Sequence, residues 1–97
     1  MIFVVAVGLS GSVAIAADAD HGAELAKRWC ATCHLVDSDQ KRASADVLPF
    51  ATIARTPEFS PEKLAFFLLD PHPKMPNFQL SRSEAADLAA YMASLRK

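Results

Sequence analysis

Beyond residue 17 the apolar positions of this chain recur at three- and four-residue intervals, the spacing of one face of a helix. From Asp20 to Trp29 that face carries Gly22, Leu25, Ala26 and Trp29, with Asp18 or Asp20 available as N-cap, and this first helix runs into Cys30. In "FSPEKLAFFLLDP" Ser60 is a good N-cap, Pro61 suits the first helical position and Glu62 favours the positive helix end. Leu64, Phe67 and Leu68 share a face there, and Pro71 stops the run. The closing "LSRSEAADLAAYMASLRK" pairs Ser81 with Glu84 as a capping box and sets Leu88, Tyr91, Met92 and Leu95 at helical spacing, with Arg96 and Lys97 at the end where cations are favoured. "LPFATIAR", Leu48 to Arg55, predicts one helical turn or two. Two stretches have no period. Polar "DSDQKRASAD", Asp37 to Asp46, is a surface loop, and "DPHPKMPNF" is too rich in proline for a helix or a central strand. No run alternates polar and apolar and nothing repeats, so the expected fold class is all-α.

The first seventeen residues, "MIFVVAVGLSGSVAIAA", stand apart because they carry no charged side chain. The run is shorter than the roughly 20 residues that span a bilayer, and it ends in Ala14-Ile15-Ala16-Ala17, small residues at the spacing a signal peptidase accepts. Residues 1–17 are therefore expected to be a signal peptide cleaved after Ala16 or Ala17, with an uncleaved membrane anchor as the rival. No Lys or Arg follows Met1, so either this Met lies downstream of the true start or the α-amine supplies the positive charge. The remaining domain, 18–97, keeps the whole formal charge of -1 and is neither basic enough for nucleic acid nor acidic enough for a solvating tail. About eighty residues also make a small core that usually needs a disulfide, metal or cofactor.

Both cysteines lie in "KRWCATCHLVD". A disulfide between Cys30 and Cys33 would close a loop too small to restrain the unfolded chain, and thioredoxin-like redox pairs sit in alternating strands and helices that this chain lacks. Cys30-Ala31-Thr32-Cys33-His34 is the C-x-x-C-H pattern of a c-type haem attachment. Thiols at i and i+3 on one helical turn can add to the two vinyl groups of haem, and His34, next in line, is carried under the ring toward the iron. Covalent attachment also consumes the thiols, which suits an exported protein. Zinc is the rival: Cys30, Cys33, His34 and either His21 or His72 would make four ligands, but the second tight pair usual in structural zinc sites is missing.

The occupant of the sixth iron position separates a carrier from a catalyst. Met75, Met92, His72 and His21 are the candidates. Met92 lies on the apolar stripe of the last helix and reads as core, and His21, about three turns before the motif, is expected to face solvent. Met75 sits in a loop stiffened by Pro73 and Pro76, far enough from His34 for the chain to travel round a haem. His72 is its closest competitor and would give a bis-histidine iron of lower potential.

"CATCH", the "PHPKMPNF" loop and the closing "LSRSEAADLAAYMASL" together resemble the class I single-haem cytochromes c of bacteria over nearly the whole chain beyond residue 17. That resemblance implies three to four helices wrapped round one covalently attached haem c, with the first and last helices crossing at right angles. Gly22 would let Leu88 and Tyr91 approach helix one. It further implies Cys30 and Cys33 as thioether anchors and His34 and Met75 as axial iron ligands. Many members place a Gly-Pro a few residues after the histidine, whose carbonyl orients the imidazole; "VDSDQKRASAD" stands there instead, and no acceptor for the His34 ring N–H is visible.

An iron whose two axial positions are filled by protein gains and loses one electron and binds no substrate. The expected function is therefore a periplasmic one-electron carrier rather than an enzyme, and the resemblance also implies that it could serve as the haem subunit of a periplasmic dehydrogenase. Its expected partners are redox proteins, a donor dehydrogenase and an acceptor oxidase or reductase, docking weakly at the haem edge over Ala31, Thr32 and the Pro73 to Phe78 loop. Neither nucleic acid nor, once the signal is removed, membrane is an expected partner. Trp29 and Phe78 read as haem-pocket packing. The reading from a different class is a haem enzyme or gas sensor with a labile sixth ligand.

Overall fold

The computed structural model describes residues 16–43, 47–70 and 75–96. The expected signal peptide, apart from its last two residues, and His72 lie outside them. Among the described residues there is no strand. The order is α1 (Ala19–Leu25), continued without a break by a π-helical turn (Ala26–Cys30), then α2 (Phe50–Ala54), α3 (Pro61–Leu69) and α4 (Arg82–Ser94).

Each helix begins where its first-turn N–H groups find an acceptor. Asp18 accepts from the His21 N–H, and Ser60 from that of Lys63. Ser81 and Glu84 form the full reciprocal box, with Glu84 N–H to Ser81 Oγ at 3.0 Å and Ser81 N–H to Glu84 Oε1 at 2.9 Å. The Ser81 backbone N–H foremost, and its hydroxyl second, hold the Glu84 carboxyl below the usual glutamate range. α3 stops at Asp70, whose extended φ of -145° is what a residue before proline adopts.

α4 is the hub, packing on α1 and α3 and more lightly on α2. Its buried residues Ala85, Leu88, Ala89 and Met92 recur at helical spacing and join Leu25, Ala26, Cys30, Val36, Phe50 and Leu68 in the interior. Met92 is core, as its position on the apolar stripe predicts. α1 meets α4 at Gly22, where a Cβ would lie 1.9 Å from the Asp87 carbonyl oxygen and 2.9 Å from the Tyr91 Cβ. Tyr91 therefore approaches α1 at Gly22 as expected, and the tightest contact is with the α4 backbone at Asp87.

The same approach changes the setting of His21. Its side chain is 43% exposed, as expected, yet its Nδ1 lies 2.7 Å from Asp87 Oδ2, while the other Asp87 oxygen accepts the Asp18 N–H at 2.7 Å. The carboxylate raises the His21 pKa above the ordinary imidazole value, and the Asp87 pKa lies below the ordinary aspartate value, with the His21 and Asp18 hydrogen bonds outweighing desolvation.

Candidate haem-binding site

The site is built at the end of the first helix. In the π-turn the Ala31 N–H reaches back to Ala26, and then the Cys30 carbonyl accepts from both Cys33 (3.1 Å) and His34 (2.9 Å). Residues 30–34 thus form one closed helical turn, which sets the two cysteines on the same side and His34 just beyond them. Both thiols are free, Cys30 buried and Cys33 exposed. Burial first, and the neighbouring Cys33 second, push the Cys30 thiol up to about 11. A thiol so raised is almost wholly protonated at neutral pH, so Cys30 is not activated as the attacking thiol of a disulfide exchange.

The acceptor missing from the sequence around His34 lies 14 residues on: the Leu48 carbonyl stands 2.6 Å from His34 Nδ1. Leu48 precedes Pro49, a position that disfavours helix, and the Phe50 N–H donates to Leu35 O at 2.8 Å, so the return segment is pinned beside the motif. The Phe50 ring tilts against the imidazole with centroids 5.3 Å apart. With Nδ1 engaged, Nε2 is the ring nitrogen left free for a metal.

Met75 is half-buried and packs against the same interior cluster as Trp29, Leu64, Leu80 and Tyr91. Its loop is held beside the first helix by Phe78, whose ring stacks on Trp29 at 5.9 Å with 8° between planes. Gln79, with φ of 54°, makes the turn into α4, and its N–H is held by Asn77 Oδ1 at 2.8 Å. Of the other sixth-ligand candidates, Met92 is in the core and His21 is paired with Asp87. Among the described residues no three His, Cys, Asp or Glu side chains gather as a metal cluster; His72, one of the expected zinc ligands, lies outside them.

Sequence reasoning missed two participants. One is the Leu48 carbonyl; the other is Gln40, in the stretch read as plain surface loop. The Gln40 Oε1 accepts the Val36 N–H at 3.0 Å, and its Nε2 lies 2.7 to 2.8 Å from the carbonyls of Ala31, His34 and Arg42. Tyr91 on α4 donates to the Val36 carbonyl, tying this loop to the last helix.

Two thiols on one turn, an imidazole with one nitrogen held and one free, and a thioether loop turned toward the interior fit a covalently held haem. A family model described as cytochrome c oxidase, cbb3-type, subunit III matches residues 17–92, and the chain belongs to that family. The class so defined is the bacterial single-haem c-type cytochrome, all-helical, carrying haem c and its iron covalently and serving electron transfer with redox partner proteins. Within it, the chain is similar to cytochrome c-552 of Bradyrhizobium diazoefficiens, 69% identical over 93 residues that cover 96% of this chain and 89% of that one. No solved structure matches. Among the described residues no helix is long and apolar enough to cross a membrane.

Proposed function

We propose that this cytochrome is a periplasmic one-electron carrier with His-Met axial ligation. Cys30 and Cys33 hold the haem as thioethers, His34 Nε2 is the proximal ligand and the Met75 sulfur the distal one. When bound, the haem iron supplies a one-electron couple. The observation that carries the reading is the His34 ring: its Nδ1 is committed to Leu48, so Nε2 projects as a ligand directly beyond two thiols on one turn. The bond to Leu48 fixes the ring's orientation and makes the free nitrogen a stronger donor. Met75, braced by Pro76 and by the Phe78–Trp29 stack, closes the sixth position and raises the potential relative to a second histidine.

Residues 1–17 direct export and are removed, leaving 18–97 as the working domain. Redox partners dock over Ala31, Thr32 and the 73–78 loop. Leu48, 56% exposed beside His34, extends the apolar part of that patch together with Phe78.

Absorption spectroscopy of the protein produced with haem-maturation machinery tests the ligation. The expected wild type is low-spin, shows the charge-transfer band of a sulfur ligand when oxidised, and does not bind carbon monoxide when reduced. Met75→Ala becomes high-spin and binds it. A wild type that itself takes up carbon monoxide would instead establish the gas-sensing or enzymatic class, and a colourless protein would remove haem altogether.

A further inference from the structure

We propose that Gln40 is a positioning residue for His34, acting through the main chain of the C-x-x-C-H turn; the inference rests on His34 as iron ligand. A helix ends with carbonyls that have no partner farther along, and in this chain the ending falls at the motif itself. Gln40 reaches back to two of those carbonyls, Ala31 O at 2.7 Å and His34 O at 2.8 Å. Its remaining contacts, Val36 N–H at 3.0 Å and Arg42 O at 2.8 Å, gather the loop on either side of it. One half-buried amide thus terminates the turn and sets the direction in which the chain leaves His34.

That direction decides whether the ring finds its acceptor. Asp37 Oδ1 accepts the N–H groups of Asp39 and Gln40, both at 2.9 Å, and presents the Gln40 side chain to the motif. Leaving His34, the chain places the Leu35 carbonyl where the Phe50 N–H meets it, and Leu48 then stands over His34 Nδ1. His34 is therefore clamped twice, at its carbonyl by Gln40 and at its ring by Leu48, and the first clamp holds the segment on which the second depends. A loosened ring N–H bond makes the imidazole a poorer donor, so the oxidised iron loses stabilisation and the potential rises.

Gln40→Met keeps side-chain length and removes all four polar contacts. In the haem-loaded variant the midpoint potential should shift upward, and the His34 ring N–H, followed by NMR, should exchange with solvent about tenfold faster than in wild type. Ser60→Ala, which removes the N-cap of α3 and whose side-chain contacts are with Glu62 and Lys63, serves as a variant of lowered stability that leaves both readings at their wild-type values. If Gln40→Met is destabilised yet keeps the wild-type potential and exchange rate, the residue is only a loop brace and the proposal is overturned. Should the variant not fold, the unaltered protein still decides. The Gln40 side-chain amide protons should exchange about tenfold more slowly than those of exposed Gln79, and equal rates overturn the inference. Failure of the ligation reading looks different, because the wild type then lacks a low-spin spectrum before any variant is made.

Discussion

The two sides of this small cytochrome are held by different physics. Where α1 crosses α4, stability is spread over close-packed apolar atoms: Gly22 against the α4 backbone, with Leu25, Ala26, Ala85, Leu88 and Met92 buried around it. Around His34 it is concentrated in a few bonds from side chains to carbonyls, made by Gln40, Tyr91 and the imidazole itself. Packing at the crossing tolerates nothing added, because the neighbours are backbone. The polar side tolerates changes of shape but not the loss of a donor, because a carbonyl deprived of its partner loses water and protein together.

The crossing should break hardest. In Gly22→Ala the new Cβ meets the Asp87 carbonyl at 1.9 Å, and neither helix can yield without separating from the other. The expected loss is about 3 kcal/mol or more, a fall in Tm of roughly 15 °C by calorimetry. Tyr91→Phe probes the boundary between the two sides, since it keeps the packing ring and deletes the bond to the Val36 carbonyl. It should cost about 1 kcal/mol, or about 5 °C, and a loss as large as that of Gly22→Ala would mean that the polar side, not the crossing, dominates. Gln79→Gly relieves a left-handed residue in the loop after Met75. Relief of the backbone strain and the greater freedom of glycine when unfolded nearly offset, leaving a gain of a few tenths of a kcal/mol in urea unfolding.

The smallest effect is a pH dependence on the crossing's rim. Asp87, lowered from 3.8, contributes stability that is present above that value and lost as pH falls through its folded pKa. His21, raised from 6.5, contributes stability that is present below that value and lost as pH rises through its folded pKa. The pair therefore supports the fold most between about pH 4 and 6.5. His21→Ala should flatten the upper side of the urea-midpoint profile, and an unchanged profile would show that the contact at 2.7 Å carries no stability in solution.

How much of this could be read from the chain depended on what kind of atom did the holding. The N-caps Asp18 and Ser60, the Ser81–Glu84 box, the core stripe through Leu88 and Met92, and the thiol turn ending in His34 all rest on side chains interacting within four residues of themselves. Local periodicity reports such pairs directly. The His21–Asp87 pair was not legible because the two residues are 66 apart in sequence and meet only where Gly22 lets the helices touch. Gln40 escaped notice because its acceptors are main-chain carbonyls, which every residue carries and no residue type advertises. The acceptor for His34 was equally hidden, although Leu48-Pro49 offered a faint signal, an extended carbonyl before proline, farther from the histidine than the spacing looked for.

Sequence by itself determined where helices begin and end, which of their faces are apolar, and that two thiols and an imidazole share one turn. Those are consequences of short-range geometry that each residue carries into any fold. Only the tertiary structure decided which carbonyl steadies the His34 ring, which amide closes the motif's turn, and which carboxylate His21 meets. Such contacts join residues 14, 6 and 66 positions apart, beyond what helical periodicity reports, and the last forms where α1 packs on α4.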